Sequence, residues 1–240
     1  MFGVVNMITT LLLTYNEPYK VSATTQQQLA ILPQTLMSLA IMSIKVLNNI
    51  IRMDFKLIQE LIVKESSDSM YHLLHFLLSY ADANIDKEGS DVKEMLHETL
   101  LFIGYYSLLN KETQNMMQNG NTSILQKLCN LPFTYFMDKR LKEILYPTLI
   151  VAAYTNEHSL AILKQEIDIM ILEKYLDVNI KVELPRILEE QHEYYSDNTK
   201  SQDSATSVQM DFLNGNNPYL PLVMRFPKQC WQDAHKFFSE

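Results

Sequence analysis

The sequence predicts an all-α fold built from stacked helix pairs, and three observations carry that prediction. Glycine occurs five times in 240 residues, so the positive-φ positions that hairpin turns and phosphate-cradling loops require are scarce. Apolar residues recur at helical spacing along most of the chain. A faint internal repeat joins Asn110-Lys111-Glu112-Thr113 to Asn156-Glu157-His158-Ser159, forty-six residues later. A period in the forties is that of armadillo and HEAT units, whose two or three helices bury their apolar faces by stacking on neighbours. The expected architecture is therefore an armadillo/HEAT-like α-solenoid. All-β folds and P-loop or Rossmann chemistry are excluded by the same shortage of glycine.

Taken in order, the elements follow from spacing and punctuation. Leu36, Leu39, Ala40, Ser43, Ile44, Leu47, Ile50 and Ile51 form one wide stripe, and Pro33 is placed to start that helix. Leu57, Ile58, Leu61 and Ile62 begin a second run, and Met70, Leu73, Leu74, Leu77 and Leu78 a third within Ser69–Tyr80. The acidic stretch Asp82–Asp91 reads as a loop. A helix over Val92–Leu109 aligns Met95, Leu96, Thr99, Leu100, Ile103 and Tyr106, and its interior Gly104 marks close helix packing. Short helices are expected at 111–118 and 121–130, parted by the helix-stop signal Asn119-Gly120-Asn121. Lys139–Tyr154 reads as one helix that Pro147 would kink. Further helices are expected near 157–165, 168–177 and 180–194. Pro227 opens a last helix that places Trp231, Ala234 and Phe238 on one face. Residues 1–194 thus form the expected repeat domain, 195–217 a flexible polar linker, and 218–240 a C-terminal helix packing back on the array.

Charge and cysteine content narrow the function classes. Twenty basic against twenty-eight acidic residues give a net charge of −8, which disfavours sequence-specific nucleic-acid binding because that needs a basic face. Two cysteines about a hundred residues apart, Cys129 and Cys230, suggest a reducing compartment rather than a disulfide scaffold. The first basic residue is Lys20, so no secretory signal is expected. Residues 21–44 lack charge but carry Thr24, Thr25, three glutamines at 26–28 and Pro33. They read as a buried helix rather than a membrane span.

No constellation predicts catalysis. His72 and His75 stand at near metal-ligand spacing, but neighbouring carboxylates or thiols do not complete a set. His97-Glu98 and Glu189-Glu190-Gln191-His192-Glu193 have acid–base residue types on what read as solvated helix ends. Cys129 sits in an apolar helix, and Cys230 has Lys228 as its one basic neighbour, so neither predicts an activated thiol. A non-enzymatic protein without metal or cofactor is expected. Binding is better supplied. Lys139, Arg140 and Lys142 form the densest basic cluster, and Phe133, Tyr135 and Phe136 precede it on a turn; aromatics of this kind are enriched in interface cores. These six residues are the candidate partner-binding set. Tyr194, Tyr195 and Tyr219 flank the linker as further candidates.

Several uncommon strings occur together and in order: Thr99-Leu100-Leu101-Phe102-Ile103-Gly104-Tyr105-Tyr106, Ser123-Ile124-Leu125-Gln126-Lys127-Leu128-Cys129-Asn130-Leu131-Pro132-Phe133, Tyr135-Phe136-Met137-Asp138-Lys139-Arg140-Leu141, Tyr146-Pro147-Thr148-Leu149-Ile150, and Arg225-Phe226-Pro227 with Trp231, Ala234, Phe237 and Phe238. In these strings the chain resembles the C-terminal region of the S phase cyclin A-associated family of the endoplasmic reticulum, over roughly residues 45–178 and 219–239. The resemblance implies a portion of a longer protein acting as a non-catalytic adaptor in tubulin autoregulation, which links tubulin-translating ribosomes to mRNA deadenylation. It implies protein partners such as a cyclin A–kinase complex and a ribosome-bound tetratricopeptide-repeat factor, with the ribosome surface as a further contact. The implied location is cytoplasmic, on the cytosolic side of the endoplasmic reticulum. The competing expectation is a structural cap that stabilises a longer protein without a partner of its own.

Overall fold

The structure is a computed structural model that describes residues 32–85, 90–183 and 226–239. Among these every regular element is helical. Helix α1 spans Gln34–Met53 and starts at Pro33, as the sequence predicts. Helix α2 spans Phe55–Asn84. Its two sequence runs merge across a kink at Ser66, whose φ of −152° and ψ of 23° leave the helical region. Helix α3 covers Ser90–Ser107, α4 Lys111–Met116 and α5 Ile124–Cys129. The one-turn helix α6 covers Thr134–Met137, followed by α7 over Lys139–Ala153, α8 over Glu157–Glu166 and α9 over Met170–Val178. A π-helical turn, Asn179–Glu183, extends α9, and α10 covers Lys228–Ser239.

Of the expected loop at Asp82–Asp91, Asp82–Asn84 belong to α2 and Ser90 and Asp91 to α3, while residues 86–89 lie outside the described residues. Asn84 is tied back to its own helix by a 3.0 Å bond to the Tyr80 carbonyl, which keeps the last turn intact. Pro147 does not end α7, which continues through it to Ala153. The expected helix at 180–194 is present as the π-helical turn to Glu183. Its remainder, the 195–217 linker and the N-terminal part of the proposed repeat domain lie outside the described residues.

The repeat seen in the sequence has a physical counterpart in the helix starts. Asn110 and Asn156 take nearly the same extended backbone, φ −125°, ψ 100° and φ −129°, ψ 97°. Each accepts bonds from the first turn of the helix that follows, α4 and α8. Just before each stands a residue in the left-handed region, Leu109 at φ 54° and Thr155 at φ 66°. Asp54 caps α2 in the same manner, accepting from Leu57 N at 3.1 Å. Each cap therefore turns the chain from a long helix (α1, α3, α7) into its return helix.

Those three long helices pack in series, with α3 between α1 and α7. The seams are polar at chosen points. Buried Gln59 of α2 donates to the Tyr105 and Leu108 carbonyls at the end of α3, at 2.7 and 2.9 Å. Buried Gln114 of α4 does the same for α7, donating to the Val151 and Tyr154 carbonyls, both at 2.9 Å. Each glutamine satisfies helix-end carbonyls that would otherwise be buried without donors. Gly104 lets α3 approach α7 closely. A Cβ there would meet Thr148 Oγ1 and Phe226 Cζ at 3.2 Å each, and Thr148 Oγ1 donates to the Leu100 carbonyl at 3.0 Å. In and just before the C-terminal helix, Phe226, Cys230, Trp231, Ala234 and Phe238 are buried in the common core. Burying each such large side chain stabilises the fold by about 1.5–3 kcal/mol, so α10 is integral to the fold rather than an appendage.

Candidate docking surface

The surface is built where α6 meets α7. Pro132 opens a turn in which Tyr135 N donates to the Pro132 carbonyl at 2.8 Å and Phe136 N to the Phe133 carbonyl at 3.0 Å. Asp138 then ends α6 and starts α7. Its N–H donates to the Thr134 carbonyl, and its Oδ1 accepts from Arg140 N at 2.7 Å and Leu141 N at 3.3 Å. One short turn thus carries four residues, Phe133–Phe136, whose side chains must point in different directions.

The six candidate residues divide accordingly. Phe133 is 74% exposed, and Lys139 and Arg140 are exposed beside it in sequence. Lys142 is half-buried. Phe136 is half-buried against Tyr146, with ring centroids 6.3 Å apart, and the Tyr146 hydroxyl donates to the Phe136 carbonyl at 2.8 Å. Tyr135 is a correction: it is 2% exposed and turns inward, its hydroxyl 3.1 Å from His97 Nε2. Burial raises the phenol to about 12 and lowers the imidazole. Tyr135 anchors the turn to α3 and does not face a partner. The sequence reading missed Met137, which is 66% exposed and lies one turn after Phe133. The signal for it was the i, i+4 spacing from Phe133.

Two carboxylates, Asp138 and Glu143, flank the three cations in sequence, but both are engaged in hydrogen bonds elsewhere. Among the described residues none of Lys139, Arg140 and Lys142 forms an ion pair; those present join Lys45 to Glu94 and Asp177 to Lys181 and His235. The nearby carboxylate of Glu143 accepts from the buried Tyr175 hydroxyl at 2.7 Å instead. The first turn of α7 contains no acidic residue. Cations there oppose the helix macrodipole, at about 0.3–1 kcal/mol each.

Of the other candidates, His72 is exposed and His75 half-buried, with Tyr71 beside both rings. No group of three or more His, Cys, Asp or Glu side chains among the described residues could hold a metal ion. Glu98 Oε2 accepts from Asn48 Nδ2 at 2.8 Å across the α1–α3 seam. Cys129 and Cys230 are buried, which pushes both thiols up to about 12 and leaves them protonated and unreactive at neutral pH. Glu189–Glu193, Tyr194, Tyr195 and Tyr219 lie outside the described residues. One described helix, α1, is long and apolar enough to cross a membrane by length and composition; its Met37, Ala40, Ile44, Leu47 and Ile51 are buried in the fold.

Fold and surface together define an all-helical domain with a cation-rich, partly aromatic corner. No family model matches the chain. It is homologous to part of the S phase cyclin A-associated protein in the endoplasmic reticulum from Homo sapiens, 30% identical over 207 residues. That alignment covers 85% of this chain and 13% of the human protein, so the chain corresponds to a small part of a much longer relative.

Proposed function

We propose that this chain is a non-catalytic docking module: an armadillo-like array of helical units whose outer surface, at the α6–α7 corner, engages a protein partner. The observation that carries the reading is the placement of Lys139, Arg140 and Lys142. They stand unpaired among the described residues, at a helix start where their charge is unfavourable. Neither core packing nor helix stability calls for cations at those positions, whereas attraction to an acidic partner does. Support for the array comes from the matched Asn110 and Asn156 starts and the two buried glutamines that bridge successive units.

The relative's association with cyclin A and the endoplasmic reticulum makes a protein-partnered role on the cytosolic side of that membrane the natural extension. Within it, we place the chain as an adaptor contacting ribosomes that translate tubulin, on behalf of mRNA deadenylation. Sedimentation with ribosomes tests this. Reversal of Lys139, Arg140 and Lys142 to Glu is expected to release the chain from the ribosomal pellet, and unchanged cosedimentation removes the corner from the account.

A second reading, a cap that stabilises a longer protein, is favoured by a different feature. Met42, Val46 and Met53 of α1 are exposed at helical spacing, apolar positions suited to covering by a neighbouring unit. Deleting residues 45–240 from the longer protein separates the readings: a cap costs stability of what remains, a docking module costs a partner.

A further inference from the structure

Three kinds of anionic partner could meet a corner that combines cations with exposed apolar groups, and magnitudes separate them. A nucleic acid would be held through phosphates. Three cations supply at most three phosphate contacts, in a chain whose net charge of −8 repels a polyanion. A membrane would take Phe133 and Met137 into its interface. Two side chains and three cations approach the marginal attachment of a single acyl chain, about 10⁴ M⁻¹, which does not anchor a protein stably. A protein segment can use every group at once. Phe133 and Met137, four residues apart on the one-turn helix and both exposed, supply an apolar knob, and the exposed Lys139 and Arg140 follow in sequence after Asp138.

Resting on the docking reading above, we propose that the occupant of this corner is an acidic amphipathic helix of a partner protein. Its apolar stripe straddles Phe133 and Met137, and its carboxylates meet Lys139, Arg140 and Lys142. Such a helix presents apolar residues at i, i+3, i+4 and i+7, a spacing that can enclose two side chains one turn apart. Aromatic contacts behind the knob stiffen it. Phe136 packs on Tyr146, and Tyr146 meets Tyr175 edge-on with ring centroids 5.2 Å apart. The knob is therefore presented on a rigid base, which lowers the ordering cost of binding.

The test uses the full chain and a labelled synthetic peptide with leucines at i, i+3, i+4 and i+7 and glutamates elsewhere. Its comparators are a scrambled peptide of the same composition, poly(U) RNA, and phosphatidylserine-containing vesicles. The amphipathic peptide is expected to bind and the scrambled one to bind more weakly. Phe133→Ala with Met137→Ala, and separately the three charge reversals, should each weaken binding by about tenfold or more. Phe133, Met137, Lys139 and Arg140 are exposed and Lys142 is half-buried, and circular dichroism verifies that the variants keep their helix content. Absence of peptide binding, or binding that neither variant alters, overturns the proposal. So does preferential capture of poly(U) or vesicles through the same residues. If the charge reversals release ribosomes while the peptide fails to bind, the docking function stands and the acidic-helix partner falls.

Discussion

The two halves of α7 obey different rules. From Leu145 to Ala153 every residue is buried, whereas from Lys139 to Ile144 none is. The buried half belongs to the core, and it is tied to its neighbours: Thr148 bonds α3, and the Val151 carbonyl receives Gln114. In the exposed half the cap, Asp138, is explained by the helix start, but the three cations after it are not. Even in the first half Leu141 and Ile144 pack against the core and Glu143 holds Tyr175, so the cations alone are left without a role in the fold, and function is best sought among them.

That contrast can be broken by substitution. The largest effect is expected for Leu149→Ala, which empties a fully buried site and should cost about 2–5 kcal/mol in denaturant unfolding. Arg140→Ala, in the first turn of the same helix, should change stability by less than about 0.5 kcal/mol. Comparable losses in the two variants would erase the distinction. Next comes Gln114→Ala, which leaves the Val151 and Tyr154 carbonyls at the end of the buried half without this donor; about 1–3 kcal/mol should be lost. Thr155 follows that half in the left-handed region, where a β-branched side chain is strained. Thr155→Gly should therefore raise stability, by about 1 kcal/mol.

A smaller, pH-dependent effect is expected from two part-buried histidines, His97 against Tyr135 of α6 and His75 of α2. Burial lowers His97 and His75 below the ordinary value of 6.5. The unfolded chain takes up these protons first as the pH falls, so the folded state binds fewer protons below about pH 6.5. Both histidines therefore support stability at neutral pH, and that contribution is lost as acidity increases from the unfolded value toward the depressed folded one. His97→Gln should flatten the acid side of the stability–pH profile measured by thermal unfolding. A profile unchanged from the parent would show that His97 titrates as freely in the fold as out of it.

Much of the fold was legible because its signals are local. Asn110 and Asn156 announce helix starts by side-chain chemistry alone, and Pro33, Pro227 and Gly120 punctuate as expected. Gly104 was readable as a close contact, although its partners Thr148 and Phe226 were not, since they are brought there by tertiary packing. The two runs in α2 were visible, but Ser66 gives no sign that the join would be a kink rather than a break. The candidate surface was harder to read. In a one-turn helix no periodicity exists to say which ring faces inward, so Tyr135 and Phe133 looked equivalent. The inward choice is made by His97, thirty-eight residues away. The glutamines that bridge α2 to α3 and α4 to α7, Gln59 and Gln114, were equally silent, because a buried and a solvated glutamine read alike in a sequence.

The most direct measurement combines ribosome cosedimentation with unfolding for the variant carrying Lys139→Glu, Arg140→Glu and Lys142→Glu. Carboxylates in the first turn of α7 suit its dipole, so stability should rise, by about 1 kcal/mol, while association with ribosomes is lost. A variant that is no less bound, or that loses binding because it has unfolded, would contradict the claim that this corner serves a partner rather than the fold.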